Sequence, residues 1–547
     1  MKSPLALLLV ACALVLAGCE EKTALRPPCP KGQLCMEFGN STELGSLDPH
    51  KVNSTWEFEV VQNLLVGLVD MDPAGQPAPG MATHWETSKD GLTWTFHLRD
   101  ANWSDGVPVT ADDFVFALQR LFDPKIASEQ ASQYYAIKNS RAVNGGKAPP
   151  SALGVHALDP HTVEIKLEHP WLALLDYADS VPMSPVPKHM VERWGDAWVK
   201  PGRFVGNGPY LPVSWVLGDR LVVQKNPRYF DANNICLDRI TYYPTTDAVS
   251  AERRVKRGEL DLNNYIQGNR VSFLRQPGQM PAYVRSHPYI GLYYLAYNVK
   301  SVPALRDVRV RQALGMAIDR EFITNKLIRG GQTPAYHFVP PGMVDYSGGP
   351  LTYWAKWPLE RRQSEARRLL AQAGYGPGHP LKLEIKHRNS ADPMLMMPAI
   401  QADWRSIGVD VSLTANEVQI AYSSYNAGDF EVADAGWVGG ADAMGFLYIN
   451  RSDIGTQNYG SYKNLRYDQL LTAADNESDD AKRQALLRQA EQILLDDAPV
   501  TPIYFTSWNN LVSPNVTGWV DNVIDTHKAR FLCFKDAAAR RAGTAAP

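Results

Sequence analysis

Four cysteines beyond the N-terminal segment carry thiols that could form disulfides or bind a metal: Cys29, Cys35, Cys236 and Cys533. An even number of thiols in an oxidising compartment favours disulfides, and four cysteines allow three pairings. We favour Cys29–Cys35, which would close a short loop containing proline and glycine, with Cys236–Cys533, which would fasten the C-terminal segment. Zinc is the alternative, but the chain has no CxxC pair and no histidine near these thiols, so we expect no metal site.

Signatures of catalysis are missing from the sequence. The motifs HExxH, GxSxG, SxxK and the Walker lysine loop do not occur. The segment Gly206-Asn207-Gly208-Pro209 is only superficially similar to a phosphate-binding loop, because proline removes a backbone donor where phosphate needs one. The 58 carboxylates make chance acid pairs inevitable, so spacing selects no acid–base pair. We therefore do not expect an enzyme.

The N-terminal segment has the pattern of a secretory signal. Lys2 precedes an apolar run, Leu5–Leu16, and small residues lead from there to Cys19. The alternative is a transmembrane anchor, but the run falls well short of the roughly 20 residues that span a bilayer. A cysteine at the first mature position is similar to a bacterial lipobox, whose thiol is lipidated. We expect residues 1–18 to be a lipoprotein signal peptide, Cys19 to be the lipidation site, and residues 19–34 to be a tether.

Composition and periodicity predict a large mixed α/β protein. The chain has 547 residues, 45% of them hydrophobic, and a formal net charge of −3, which offers no polyanion-binding surface and disfavours nucleic acid as a partner. Strands are predicted at residues 35–38 and 92–98, the second from alternating apolar residues. Capping residues and apolar spacing predict helices starting at Thr110, Asp307, Ser364 and Ser478. The helix from Asp307 is expected to continue to Gly330.

An ordered set of segments across the chain resembles the family 5 extracellular solute-binding proteins, the peptide and nickel receptors of ABC importers. The segments that carry this resemblance are Asn63–Leu68, Asp72–Ala82, Asp90–Arg99, Trp103–Gly106, Val109–Phe114, Gly206–Tyr210, Asp307–Leu314, Ala317–Arg320 and Pro499–Tyr504. Two further segments, Ser184–Lys188 and Pro334–Tyr336, bring the chain nearest to the oligopeptide-binding branch.

The resemblance implies an α/β, two-lobed periplasmic binding protein fold of type II, cluster C-like, with an additional third domain. Lobe I would comprise residues 35–56, 183–290 and 508–537, the extra domain 57–182, and lobe II 291–507, with a disordered tail at 538–547. Hinges would lie near Pro288–Tyr293 and Pro502–Trp508.

The resemblance also implies a function. The chain would be a periplasmic, lipid-anchored and monomeric receptor that closes its lobes over a peptide-like ligand. It would deliver that ligand to an ABC permease in the inner membrane and consume no cofactor. Two alternatives from other classes remain open: a periplasmic peptide hydrolase, and a sensor or signalling lipoprotein that uses the same cleft.

Four dipeptides are the positions at which the resemblance implies contacts with the ligand backbone: Glu43-Leu44, Asn263-Asn264, Tyr293-Tyr294 and Gly436-Trp437. In this mode the ligand is held much as a sheet gains a strand. Two of these positions have structural alternatives, because Asn263-Asn264 could be a turn and Trp437 could belong to a lobe core.

The chain departs from the oligopeptide branch at its charged anchors. That branch carries an aspartate three residues beyond the tryptophan, which pairs with the ligand's ammonium group. Here that position is Gly440, and the nearest acid, Asp442, either replaces the aspartate or lies on the surface. Three further positions differ from that branch. Val418 replaces a tryptophan that covers the cleft, and Met394 replaces a histidine. Asp434 replaces a basic residue that contacts the ligand's carboxylate. Asp434 is otherwise a solvated strand end. A buried charge needs a partner, so these changes predict an altered or longer ligand: blocked, cationic or cell-wall-derived.

Overall fold

The structure is a computed structural model that describes residues 26–171, 173–343, 346–440 and 442–543. The predicted signal peptide and Cys19 lie outside the described residues. The strands are β1 Cys35–Gly39, β2 Val69–Met71, β3 Pro77–Pro79, β4 Ala82–Thr87, β5 Thr93–Leu98, β6 Val155–Asp159, β7 Thr162–Lys166, β8 Tyr210–Val216, β9 Arg220–Lys225, β10 Arg239–Tyr243, β11 Leu262–Asn263, β12 Val284–Tyr297, β13 Thr333–Pro334, β14 Leu381–Arg388, β15 Val409–Asn416, β16 Val432–Val438, β17 Val500–Val512, β18 Val516–Thr517 and β19 Cys533–Phe534.

Helices are interspersed with the strands along the chain. Those that the structure describes are Thr55–Val61, Ala111–Leu121, Ser140–Asn144, Leu174–Ala178, Lys188–Trp194, Ala248–Lys256, Gly268–Leu274, Val308–Ala317, Arg320–Phe322, the π-helical segment Ile323–Ile328, Leu359–Gln372, Ala391–Ser406, Val418–Ala427, Met444–Leu447, Leu465–Asp475, Asp480–Asp497 and Ala537–Ala542. Among the described residues, no helix is both long enough and apolar enough to cross a membrane.

One large sheet connects the two halves of the molecule. Its strand order is β15-β14-β16-β12-β17-β11-β1-β10-β9-β8, with β13 added on β17. On one side of the β12–β17 pair, β14 runs parallel to β15 and β16, and on the other side β1 runs parallel to β10 and β11. The long antiparallel strands β12 and β17 are therefore shared by two parallel units.

The shared strands are irregular where they pass between those units. Residues 284–288 of β12 pair with 507–511 of β17, and residues 292–296 pair with 500–505. The register shifts between Pro288 and Leu292, and again between Tyr293 and Tyr294. Such irregularities bend a strand pair locally. They fall within the segment Pro288–Tyr293, where a hinge is expected.

Separate hydrophobic cores support the two halves. One cluster gathers residues from Leu34 to Tyr242 together with Leu262 and residues of the segment 512–534. Two further clusters lie wholly within residues 290–505. The first cluster spans both the expected lobe I and the segment 57–182, so the boundary between those two domains remains a prediction.

Local signals in the sequence explain how several elements begin. Asp113 accepts the backbone N–H of Thr110 at 2.9 Å and completes a capping box on the helix Ala111–Leu121. In β5, Trp94, Phe96 and Leu98 are all buried on one face of the four-stranded sheet β4-β5-β7-β6. Alternating apolar residues thus predict the strand correctly.

Four segments differ from expectation. The helix expected to start at Ser364 already begins at Leu359. The helix that begins at Asp307 ends at Ala317, because the Asp319 side chain accepts the Phe322 N–H and starts a new helix. The tail expected to be disordered at 538–547 includes most of a short helix, Ala537–Ala542, in which Arg541 donates to Asp238 at 2.8 Å. The described end of the expected tether is fastened to the fold, since Arg26 forms a bidentate ion pair with Asp261 at 2.7 and 2.6 Å.

Two disulfides tie both ends of the described chain to the first core. Cys29 is bonded to Cys35, and Cys236 to Cys533. The second bridge joins residues 297 positions apart, so it holds the C-terminal segment on the β9–β10 region.

A buried ion pair lies beside the hinge and predicts a pH dependence. His287 contacts Asp525 at 3.1 Å, and His527 contacts the same carboxylate at 2.9 Å. Burial lowers the pKa of His287, but the hydrogen bond and charge of Asp525, together with the charge of Asp521, raise it above its ordinary value. Because folding raises this pKa, protonated His287 stabilises the folded state. This contribution to the free energy of unfolding is fully present below about pH 6.5, the pKa of a histidine in the unfolded chain, and is lost as the pH rises through the pKa of the folded state.

We therefore expect the variant His287→Gln to be most destabilised, relative to the unmodified chain, at pH 5.5, and less so at pH 8.5. Urea unfolding at the two pH values measures the difference. The variant His84→Gln, at an exposed position of β4, is the matched control. Equal destabilisation of His287→Gln at both pH values would contradict the prediction.

Candidate functional site

The carboxyl ends of three parallel strands meet at one edge of the large sheet. These are β14, β15 and β16, which end at Arg388, Asn416 and Val438. The helices Ala391–Ser406 and Val418–Ala427 begin directly after β14 and β15. In open α/β sheets such an edge is where ligands bind. The positions of Met394 and Val418 are therefore brought to the same edge as Arg388.

That edge faces the other half of the molecule across a cleft. Asp392, in the first turn of the helix Ala391–Ser406, is close enough to Tyr265 that its charge, added to burial, raises the pKa of the Tyr265 hydroxyl. Tyr265 follows β11 in the opposite half. Farther along the edge, a cavity of about 330 Å³ is lined by Trp437 and Asp442 on one side and Trp171 on the other.

Aromatic side chains line the opposite wall near the hinge. Tyr265 is 41% exposed, and its ring centroid lies 5.7 Å from that of Trp508. Trp508 is 5.0 Å from Tyr289 and donates its indole N–H to the backbone carbonyl of Asn264 at 2.9 Å. Sequence reasoning missed Tyr265 and Tyr289 as site residues. No motif marks them, and only the pairing of both β11 and β12 with β17 brings them together.

Asp434 is the centre of a buried polar network. Its side chain is fully buried, and it accepts hydrogen bonds from the Tyr293 and Tyr425 hydroxyls and from the backbone N–H of Arg388. The Arg388 guanidinium contacts the same carboxylate through Nε and Nη2, each at 2.9 Å, while its Nη1 donates to Tyr422 at 2.9 Å.

This network revises the expectation for Asp434. The residue is not a solvated strand end, because hydrogen-bond donors of the protein surround its fully buried carboxylate. A direct contact between Asp434 and a ligand remains a prediction. Burial and the Asp434 charge hold the pKa of Tyr293 well above its ordinary value, so the hydroxyl keeps its proton and donates. Burial lowers the pKa of Arg388, but the charge of Asp434, the nearby Tyr293 and Tyr422 hydroxyls and the hydrogen bond to Asp434 together raise it above its ordinary value, so the guanidinium remains a cation.

Gly436 and Trp437 lie on β16 opposite Tyr293 and Leu292. A Cβ on Gly436 would meet only the Leu292 carbonyl at 3.7 Å and Arg388 Nη2 at 3.9 Å, which are ordinary contact distances. The protein's own packing therefore does not demand glycine there. Trp437 is half-buried against a lobe core and donates its indole N–H to the Gly445 carbonyl at 3.0 Å, while also lining the cavity.

Gly440 and Asp442 lie at the contact with the segment 57–182 rather than on an open surface. A Cβ on Gly440 would come within 2.8 Å of the Tyr177 hydroxyl. Asp442 is 6% exposed and accepts the Gly445 N–H at 2.8 Å. Burial first, and then the Asp442 charge, raise the pKa of Tyr177. The surface alternative for Asp442 is therefore wrong, and a role in binding remains a prediction.

Glu43 and Leu44, predicted contact positions in the opposite half, use their side chains for contacts within the protein. Glu43 accepts the Gly218 N–H at 2.6 Å and the Trp215 indole N–H at 3.3 Å. Leu44 is 5% exposed and packs in the first core. The side chains at Glu43 and Leu44 are thus committed to the protein, which leaves only backbone groups for a ligand.

Asn263 belongs to the sheet, and Asn264 directly follows its strand. Asn263 ends β11, and its Oδ1 accepts the Thr245 hydroxyl at 2.9 Å. Asn264 donates to Asn40 at 3.1 Å and accepts the Ser41 hydroxyl at 2.8 Å. These contacts lock the strand that precedes Tyr265.

The remaining predicted positions divide between core and cleft rim. Tyr294 is 2% exposed and packs edge-on against Phe338 in a lobe core, so its side chain does not reach a ligand in this conformation. Val418 is half-buried at the start of its helix. Met394 belongs to a group of exposed apolar side chains at the cleft edge, which are Met394, Leu395, Ile420 and Val438. This rim is apolar on either side of Arg388.

The fold and this cleft define an extracellular solute-binding protein. The family model "Bacterial extracellular solute-binding proteins, family 5 Middle" matches residues 76–458, and the chain belongs to that family. The architecture is accordingly that of a multi-domain, type II periplasmic binding protein, as expected from the sequence.

Particular relatives are similar over nearly the whole chain. The periplasmic oligopeptide-binding protein OppA of Salmonella typhimurium is 38% identical over 488 residues, which cover 88% of each chain. The periplasmic murein peptide-binding protein MppA of Escherichia coli is 36% identical over 495 residues, 90% of this chain and 91% of that one. An unliganded, open-form structure of MppA superposes with a TM-score of 0.84 at 35% identity, covering 92% of this chain and 97% of that chain.

The chain superposes unequally on two MppA structures. A second structure, of the Escherichia coli murein tripeptide-binding protein MppA, has the same 35% identity and covers 92% of this chain and 98% of that one, but scores only 0.74. The higher score, 0.84, belongs to the structure described as unliganded and open.

Proposed function

We propose that this chain is a lipid-anchored, periplasmic receptor that captures a peptide-like ligand between two closing lobes and delivers it to an ABC permease. The observation that carries the proposal is the similarity, over about nine tenths of the chain, to oligopeptide- and murein peptide-binding proteins. Binding rather than catalysis agrees with the family, whose relatives here are solute-binding proteins.

The hinge supplies the motion that such a receptor needs. The irregular registers of β12 and β17 separate the Arg388 edge from the wall formed by Tyr265 and Trp508. A ligand that contacts both walls binds the closed state better than the open one and shifts the equilibrium toward closure. The exposed edge of Gly436 would pair with the ligand backbone as a strand does.

The anchor is proposed from Cys19. A lipid-anchored receptor stays at a high effective concentration near its permease. Because a single acyl chain holds a protein only marginally, the anchor needs the multiple chains typical of bacterial lipoproteins.

We expect Cys19→Ser to move the protein from the membrane fraction to the soluble fraction of the producing cells without changing its affinity for peptides. Fractionation followed by calorimetry on the purified variant measures both properties. Retention of the variant in the membrane would contradict the anchor, and loss of peptide binding would show that the binding site depends on it.

A further inference from the structure

We propose that Arg388 is the anchor for a carboxylate on the ligand, and that Asp434 positions its guanidinium. The inference rests on the proposed function and names the chemistry that the cleft recognises. In the oligopeptide branch a basic residue is expected where this chain has Asp434. The structure supplies a cation at nearly the same place from the end of the neighbouring strand β14.

The geometry leaves part of the guanidinium free for a ligand. An arginine has five N–H donors. Nε and Nη2 contact Asp434, and Nη1 donates to Tyr422. Among the described residues, the remaining N–H groups have no further hydrogen-bond partner. Nη2 lies 3.9 Å from the position that a Cβ of Gly436 would occupy, which is beside the edge where a ligand backbone would pair.

Burial separates the roles of the two charged groups. The Arg388 side chain is 15% exposed, whereas that of Asp434 is fully buried. The Asp434 charge is shared with two tyrosine hydroxyls and a backbone N–H, so the guanidinium is not its only partner. The buried carboxylate thus holds the guanidinium in one orientation, and the guanidinium is the charged group that reaches the cleft.

A second acidic residue near Arg388, Asp392, does not occupy the proposed carboxylate site. Burial raises the pKa of Asp392 above its ordinary value. The hydrogen bond from Tyr504 and the charge of Arg388 lower it only in part, so Asp392 and Arg388 interact electrostatically. No ion pair joins Asp392 and Arg388 in the part of the chain that the structure describes, and Asp392 accepts a hydrogen bond from the Tyr504 hydroxyl at 3.5 Å. Because Asp392 forms no ion pair with Arg388, the guanidinium can still bind a ligand carboxylate.

The test uses calorimetry with tri-, tetra- and penta-alanine and with their C-terminal amides. We expect the unmodified chain to bind at least one free peptide about tenfold or more tighter than its amide, since charge-assisted hydrogen bonds are the strong ones. Arg388→Met keeps the aliphatic stem and should abolish that preference. Because this variant leaves Asp434 buried without its cation, the double variant Arg388→Met/Asp434→Asn provides a second, uncharged test.

Arg270→Met is the matched control, because Arg270 forms an ion pair with Glu252 at 2.7 Å and lies on the helix Gly268–Leu274, outside the cleft edge. It should keep the carboxylate preference, and thermal unfolding checks that each variant is folded. Equal binding of free and amidated peptides by the unmodified chain, or an unchanged preference in the double variant, would overturn the role of Arg388. If no peptide of either kind bound the unmodified chain, the proposed function would fall, and this inference with it.

Discussion

Replacing Asp434 with alanine is expected to lower the free energy of unfolding by about 3–5 kcal/mol, because breaking a buried ion pair strands the remaining charge. The substitution removes the partner of Arg388 and leaves the Tyr293 and Tyr425 hydroxyls without their acceptor. Urea unfolding followed by tryptophan fluorescence measures the loss.

The matched control is Asp453→Ala. Asp453 also forms an ion pair with an arginine, Arg451, at 2.8 Å, but its side chain is 61% exposed. Exposed pairs contribute about 0–1 kcal/mol. The double variant Arg388→Met/Asp434→Asn should recover much of the stability lost in Asp434→Ala, since it leaves no unpaired charge. Losses of similar size in Asp434→Ala and Asp453→Ala would contradict the buried network.

Replacing Gly436 with valine is expected to weaken peptide binding by more than about tenfold, with little change in the thermal unfolding temperature. A Cβ at this position meets the protein only at ordinary contact distances, so the fold tolerates it. The added methyl groups would instead occupy the edge of β16 beside Arg388, where the ligand backbone approaches. Calorimetry with the tightest-binding alanine peptide measures the effect.

Gly376→Val is the control, because a Cβ at Gly376 meets nothing within 4 Å and the residue lies outside the cleft edge. It should bind peptides as the unmodified chain does. Full binding by Gly436→Val would show that the ligand does not approach this strand. A large fall in its unfolding temperature would show that the protein, not a ligand, requires glycine there.

Local sequence signals predict much of the fold. The capping residue Thr110 and the alternation through Trp94 depend only on near neighbours, and the structure has the predicted helix and strand. The helix from Asp307 was predicted too long, because its apolar spacing continues across Ile318. The Asp319 side chain there caps a new helix, and periodicity alone does not show that break.

The charged part of the candidate site could not be predicted in the same way. Arg388 and Asp434 lie 46 residues apart, and each looks like an ordinary strand residue in the sequence. Only the parallel pairing of β14 with β16 brings them together. The family resemblance draws attention to position 434, but the ion pair that Arg388 forms with it is visible only in three dimensions.

The central claim, that the cleft binds an intact peptide-like ligand, is tested most directly by native mass spectrometry. The purified Cys19→Ser protein is incubated with a defined peptide mixture, desalted and measured intact, and the released peptides are then identified. We expect a complex that contains one peptide per chain, and we expect the peptide released from it to have its original mass. Cleavage fragments in the mixture would indicate a hydrolase, and a protein that emerges with no peptide bound would contradict the receptor.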